Sequence, residues 1–187
     1  MKKVLATLLV GMLAVFSFAA FEVTVGYANT SLSASDTTAA SDVTLHGLSV
    51  GANYLYDGLG IEGGSLLVGG TFDYYFPTDF VNNDTVTATD VSNMLIGINA
   101  GYRHSFDAFF VQGLFNYSFG LGDGKVFNSV LSFGGGVGAT FAVQNLDMNV
   151  GADVLFEMPT LSDDYKEIYS DELKLRPAFK VHAGVQF

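Results

Sequence analysis

The stretch that decides the fold is Lys180-Val181-His182-Ala183-Gly184-Val185-Gln186-Phe187. Taken in twos with Phe179, it gives one apolar face of Phe179, Val181, Ala183, Val185 and Phe187. The opposite face carries Lys180, His182, Gly184 and Gln186. Alternation with period two marks a strand between two different environments. Soluble domains tend to close on a frayed polar tail, so an aromatic at the last position of such a strand calls for a reason.

Composition points the same way. Of 187 residues 49% are hydrophobic and only 14% charged, against about 25% charged in an ordinary globular chain; the mean hydropathy is +0.35. That balance suits a membrane protein, yet beyond the first twenty residues no apolar run reaches the roughly 18 residues of a spanning helix. The chain has 22 Gly, no Trp and no Cys, which excludes a disulfide framework and thiolate metal sites. A formal charge of −11 argues against nucleic acid, whose binding needs clustered Lys and Arg.

The first residues read as an export signal. Lys2 and Lys3 precede an apolar run from Val4 to Phe16, and Ser17-Phe18-Ala19 offers small residues at the −3 and −1 positions. Charge, length and cleavage site are those of a secretory signal peptide over 1–19, rather than of an uncleaved helical anchor. Cleavage after Ala19 leaves a chain over 20–187 and takes the charge from −11 to −13.

From there the alternation recurs seven more times. Apolar faces run over Phe21–Tyr27, Leu48–Tyr56, Leu66–Phe76, Met94–Tyr102, Phe109–Phe119, Leu131–Val143 and Leu146–Met158, and the last over Leu173–Phe187. Eight strands is an even number, and each is about the nine to eleven residues of a tilted membrane strand, or slightly more, the first being the shortest. Polar stretches at 29–42, 77–92, 120–128 and 159–171 are long, whereas those at Asp57-Gly58, Phe106-Asp107 and Gln144-Asn145 are short. Long loops on one side and tight turns on the other describe an up-and-down meander with both termini on the short-turn side. Val43 and Leu45 have the opposite parity from Leu48, so the pattern predicts a bulge near His46-Gly47.

Two all-β barrels give such a pattern. A soluble lipocalin-type barrel turns its apolar face inward around a ligand; a membrane barrel turns it toward lipid. The polar face here is rich in Gly, Ser, Thr and Asn, which suits the narrow interior of eight strands. The apolar face carries aromatics near strand ends, among them Tyr54, Tyr56, Phe72, Tyr74, Phe76, Tyr102, Phe109, Tyr117, Phe119 and Phe156, as interfacial girdles do. The membrane barrel is the better reading: all-β, eight antiparallel strands, closed.

Over nearly all of 20–187 the chain resembles the small eight-stranded outer-membrane β-barrel family, of the outer-membrane protein X and outer-membrane protein A type. The resemblance rests on the topology and on the last strand, where Val181, Val185 and Phe187 match that family's C-terminal assembly signal. It implies a bacterial outer-membrane location, recognition of Phe187 by the barrel-assembly machinery, passage with periplasmic chaperones, contact with outer-membrane lipids and lipopolysaccharide, and a monomer. It implies no activity. Pro177 inside the last strand is unusual for a paired position.

Shorter motifs carry less. The run Gly134-Gly135-Gly136-Val137-Gly138-Ala139 lacks the Lys and the following helix of a phosphate loop, so its glycines read as packing positions. His46, His104 and His182 are isolated, with no metal-binding spacing. His104 and Ser105 are neighbours and face opposite sides of a strand, which removes a catalytic dyad. Asn29-Thr30-Ser31, Asn83-Asp84-Thr85 and Asn116-Tyr117-Ser118 fit the glycosylation sequon, a coincidence behind a bacterial export signal. No catalytic, metal or cofactor site is expected.

The inward charges say more. Lys174, Arg176, Lys180 and His182 share the inner face of the last strand; Asp147, Asp153 and Glu157 turn inward from the strand before it, and Glu22 from the first. Charges confined in a protein interior must be paired or hydrated, so these eight form the expected lumen network, with Lys180 and Asp153 at one level. Arg103 has no evident level partner. The loops hold Asp36, Asp42, Asp79, Asp84, Asp90, Asp123, Asp163, Asp164, Glu167, Asp171 and Glu172 against Lys125 and Lys166; no EF-hand spacing is present. The reading is a non-enzymatic barrel with a structural or surface-interaction role. A narrow passage for small or apolar solutes, suggested by inward Leu67, Tyr75, Leu95, Leu114 and Leu155, comes second, and a lipid-modifying enzyme a distant third.

Overall fold

The computed structural model describes residues 19–32, 43–82, 85–166 and 175–187. They form eight strands: β1 (Ala19–Leu32), β2 (Val43–Tyr56), β3 (Gly64–Asn82), β4 (Thr85–Phe106), β5 (Phe109–Leu121), β6 (Phe127–Val143), β7 (Leu146–Leu161) and β8 (Arg176–Gln186). One short helix, α1 (Asp163–Lys166), precedes β8. The strands pair antiparallel in chain order and close into a barrel through β1 and β8. Beyond the last β8 residue, Phe187 and Phe21 exchange two backbone hydrogen bonds, at 2.8 and 3.2 Å. Closure leaves no strand edge inside the membrane, which is what a lipid environment demands of a sheet.

The two faces of every strand are opposite in character. Outward stand Val25, Val68, Val137 and Ile98, the last 68% exposed, with Phe21, Phe109, Phe115, Phe179 and Phe187 beside them. Such a surface in water would be an aggregation site; against acyl chains it is a solvated one. No helix among the described residues is long and apolar enough to cross a membrane.

Turns follow the expected asymmetry. The β4–β5 and β6–β7 hairpins turn through Asp107 and Gln144, which take positive φ of 53° and 57°. Asp tolerates this left-handed region through local hydrogen bonding; Gln has no such help. At the other end the strands run further than their polarity suggests. β1 extends to Leu32, and β3 and β4 pair through the polar stretch at 77–92 as far as Asn82 opposite Thr85.

The expected bulge near His46-Gly47 is absent. β2 pairs with β1 in unbroken register from Tyr56 to Val43. What changes is the content of the lumen. Leu45 is buried inside with Ala28, Leu32, Tyr75, Leu95, Val126, Phe127, Val130, Leu161 and Tyr165 of α1, and Val43 packs against them. Parity is constant along β2; the apolar side moves from the outer face to the inner one because this end of the barrel is filled by an apolar plug.

Candidate functional site in the lumen

Below the plug the interior is polar and organised by one carboxylate. Glu22, fully buried on β1, takes a two-pronged ion pair from Arg103 on β4: Nη1 donates to Oε2 at 2.6 Å and Nη2 to Oε1 at 3.1 Å. Asn53 Nδ2 donates to the same Oε1 at 3.2 Å and Asn149 Nδ2 to Oε2 at 2.8 Å. Arg103 Nε donates to Gln112 Oε1 at 3.0 Å, and the guanidinium lies 4.3 Å from the centre of the Phe110 ring. Burying such a pair is tolerable only with this degree of hydrogen bonding, since each desolvated ion costs several kcal/mol.

Gln112 carries the network upward, its Nε2 donating to Asp153 Oδ1 at 2.7 Å. The other Asp153 oxygen lies 3.2 Å from His182 Nδ1. Further up, Lys180 Nζ reaches across the barrel to both oxygens of Asp73, at 2.9 and 3.0 Å. Glu157 accepts from Thr30 Oγ1 at 2.5 Å and stands opposite Arg176 in the β7–β8 register; Arg176 Nη1 donates to the Ser31 carbonyl at 3.4 Å.

Glycines make room for these groups. A Cβ on Gly136 would lie 1.9 Å from Asp153 Oδ1, and one on Gly138 would lie 2.2 Å from Phe110 Cζ. The run 134–138 is therefore a recess in β6 that admits an acid and a ring. Between the Glu22 and Asp73 levels remains a cavity of about 70 Å3, bordered by Thr71, Asn99, Leu114, Asn116, Asp153 and Lys180. Asn99 Oδ1, which borders it, has no partner among the described residues, and the space suits a few waters. A larger vestibule of about 380 Å3 opens at the short-turn end beside Asp57, Glu62, Ser65 and Gln186. Arg103 borders both spaces.

The structure places Glu22, Asp153, Glu157, Arg176, Lys180 and His182 inside, and differs from the expected network at two residues, Asp147 and Lys180. Asp147 is exposed, one pair from the Gln144-Asn145 turn, where the barrel wall ends. Lys174 lies outside the described residues. Lys180 is level with Asp153, but its ammonium pairs with Asp73, because His182 and Gln112 already occupy Asp153. Asp73 and Arg103 were the missing members. Both are charged residues on an inward parity, and that parity was their signal. His46 and His104 face outward, each hydrogen-bonded to a tyrosine, Tyr27 and Tyr102. No group of three or more His, Cys, Asp or Glu that could hold a metal occurs among the described residues. Val181 and Phe187 are exposed on the outer face of the barrel's end, with Val185 half-buried between them.

A closed eight-stranded barrel, apolar outside and ion-paired inside, defines a transmembrane β-barrel. Residues 4–187 match the family described as outer membrane protein beta-barrel domain, and the chain belongs to that family. It is thus a bacterial outer-membrane protein in contact with membrane lipids. Among solved structures it is similar to Ail, the attachment invasion locus protein of Yersinia pestis, with 14% identity, TM-score 0.49, and 90% of this chain and 99% of that one covered. It is also similar to Neisserial surface protein A, with 17% identity, TM-score 0.46 and coverage of 89% and 97%. A major outer membrane protein of Thermus thermophilus aligns at 15% identity and TM-score 0.43, with 90% and 99% covered. A search of curated proteins found no match.

Proposed function

We propose that the chain is a non-enzymatic, monomeric anchor that carries acidic surface segments for interaction outside the cell. The observation behind this is the filled lumen. The Glu22–Arg103 layer and the apolar plug close it at two levels, leaving the strand extensions and long loops as the part that meets other molecules. The long-loop side faces outward and the vestibule faces the periplasm. The purified barrel in a planar bilayer should stay at background conductance; sustained openings would overturn this reading.

A narrow passage is the second reading. It is favoured by Arg103 bordering both the vestibule and the cavity. Leu67, Tyr75, Leu95 and Leu155, once candidates for lining such a path, are packed and buried. A lipid-modifying activity has less support, since His104 bonds to Tyr102 at 3.1 Å rather than to an acid.

Biogenesis belongs to the same proposal. The signal peptide over 1–19 is removed after Ala19, periplasmic chaperones deliver 20–187, and the assembly machinery reads Val181, Val185 and Phe187. Deleting Phe187 should then impair insertion in cells far more than refolding into micelles. Lipopolysaccharide contact must accommodate a scarcity of outward cations. Of Arg103, Lys125, Lys166, Arg176 and Lys180, the Lys and Arg among the described residues, three lie in the lumen.

A further inference from the structure

The vestibule at the short-turn end holds carboxylates to which no described residue brings a cation. Asp57 accepts from Ser65 Oγ at 2.5 Å through Oδ1, while its Oδ2 and the whole Glu62 carboxylate take no bond from a described residue. Arg103 is the one described Lys or Arg bordering this space, and it already donates to Glu22 and Gln112. Lys125, Lys166, Arg176 and Lys180 belong to the long-loop half. Asp107 and Asp147, in and beside the neighbouring turns, add charge of the same sign. A concave site of one sign between low-dielectric walls focuses its field and concentrates counter-ions.

The rest of the lining says which counter-ion fits. A volume of about 380 Å3 lies in the range of small-molecule sites, roughly 300–1,000 Å3, and far exceeds a bare ion. Leu55 and Ile61 give the space an apolar side, which a metal ion cannot use. A hard divalent cation also asks for about six oxygens or more, and no metal-holding group of three occurs among the described residues. At the closed end Arg103 is only 3% exposed and spends three N–H groups on Glu22 and Gln112. A guanidinium has more than these to give, so donors remain for an acceptor that enters the vestibule. The two-pronged pair with Glu22 already cancels the Arg103 charge, which favours a neutral acceptor over an anionic one.

We propose that the short-turn vestibule binds a small organic ammonium ion. Asp57 and Glu62 hold its charge, Leu55 and Ile61 cover its apolar stem, and Arg103 donates to a neutral oxygen at its far end. This site goes beyond the anchor reading and does not depend on it, since the Glu22–Arg103 layer forms its floor whether or not the lumen above conducts.

The test uses the full barrel, isotope-labelled, in phospholipid nanodiscs, with ε-aminocaproamide as probe: an ammonium, an apolar stem and a carboxamide oxygen. Titration to about 10 mM, a range suited to so small a ligand, should shift the Arg103 Nε–H and Gln186 side-chain amide resonances along a saturating curve. Caproamide, which lacks only the ammonium, should bind at least roughly tenfold more weakly. Asp57→Asn with Glu62→Gln should weaken the amine by roughly tenfold, as loss of both counter-charges implies. Ser105→Trp keeps both acids but fills the space that Ser105 lines, and should abolish binding. Asp163→Asn with Asp164→Asn, on exposed α1, should leave it unchanged. Folding of every variant is verified by heat-dependent gel mobility. Equal binding of caproamide, binding that survives the double acid variant or Ser105→Trp, an equal loss in the α1 variant, or no saturating shift would each overturn the proposal. Conductance tests the anchor reading separately. A conducting barrel that binds the amine overturns only the anchor, and a silent barrel that ignores it overturns only the ammonium site.

Discussion

The two halves of the lumen solve the same packing problem with opposite chemistry. Near the short turns, Glu22, Arg103, Gln112 and Asp153 form a hydrogen-bonded chain in which each charge has several partners. Near the long loops, Leu32, Leu45, Leu95, Phe127 and Leu161 fill the same bore with no charge at all. The polar half specifies: its bonds are directional and admit one arrangement of strands. The apolar half seals, because packing is tolerant of detail but excludes water. Their meeting point, around Tyr75, Asp73 and Glu157, is where a closed barrel changes from one to the other.

The largest effect should come from removing one member of the polar hub. Arg103→Met leaves Glu22 buried without its counter-charge and should cost about 3–5 kcal/mol by urea unfolding in micelles. Adding Glu22→Gln should recover much of that loss. If the double variant is as unstable as the sum of the singles, the hub is not a coupled unit.

The apolar half should answer to volume instead. Leu45→Ala removes a side chain from the plug and should cost about 2–3 kcal/mol. Leu45→Met, which keeps the volume, should cost less than about 1.5 kcal/mol. Were both substitutions silent, the plug would not be a packed core.

The boundary is probed by a double-mutant cycle on Lys180. Coupling of about 1–3 kcal/mol is expected between Lys180→Met and Asp73→Leu, and clearly less between Lys180→Met and Asp153→Leu, although Asp153 is the strand neighbour. The reverse order would return the ammonium to Asp153.

The smallest effect lies outside both halves. Gln144→Gly relieves a left-handed residue in a hairpin turn and should raise stability by about 0.5–1 kcal/mol, with no change in either cycle. A loss of stability there would mean that the turn's φ of 57° is held by interactions of the Gln144 side chain.

How much of this was legible in the sequence follows from the same contrast. Alternation alone placed all eight strands, since a lipid-facing surface is uniformly apolar along its length. The exterior hides nothing. The interior is different, because period two tells only which way a side chain points and not how far it reaches. Glu22 was assigned inward correctly, yet its partner sits on β4, three strands round the barrel, and Lys180 crosses from β8 to β3. Long flexible side chains meet in the centre, where strand register ceases to be a guide. Val43 and Leu45 misled for a related reason: a fixed rule of apolar outside fails where the bore itself is apolar. The loop boundaries at 77–92 failed because polar strand residues outside a membrane lack the alternation that lipid imposes.

One consequence of the Glu22 site concerns how the barrel assembles. Its carboxylate is bonded at once to Asn53 of β2, Arg103 of β4 and Asn149 of β7, so residues 127 positions apart must be in place before the acid can leave water. Contacts so distant in sequence slow folding, because the chain entropy of closure is lost before the bonds form. They also make closure cooperative. A barrel open between β1 and β8 keeps a half-satisfied carboxylate facing its lumen, and strands joined in any number short of eight gain little from it. The first strand carries the group that only the complete circle can house, so partly assembled intermediates stay poor and the finished barrel is the one state in which every strand is held.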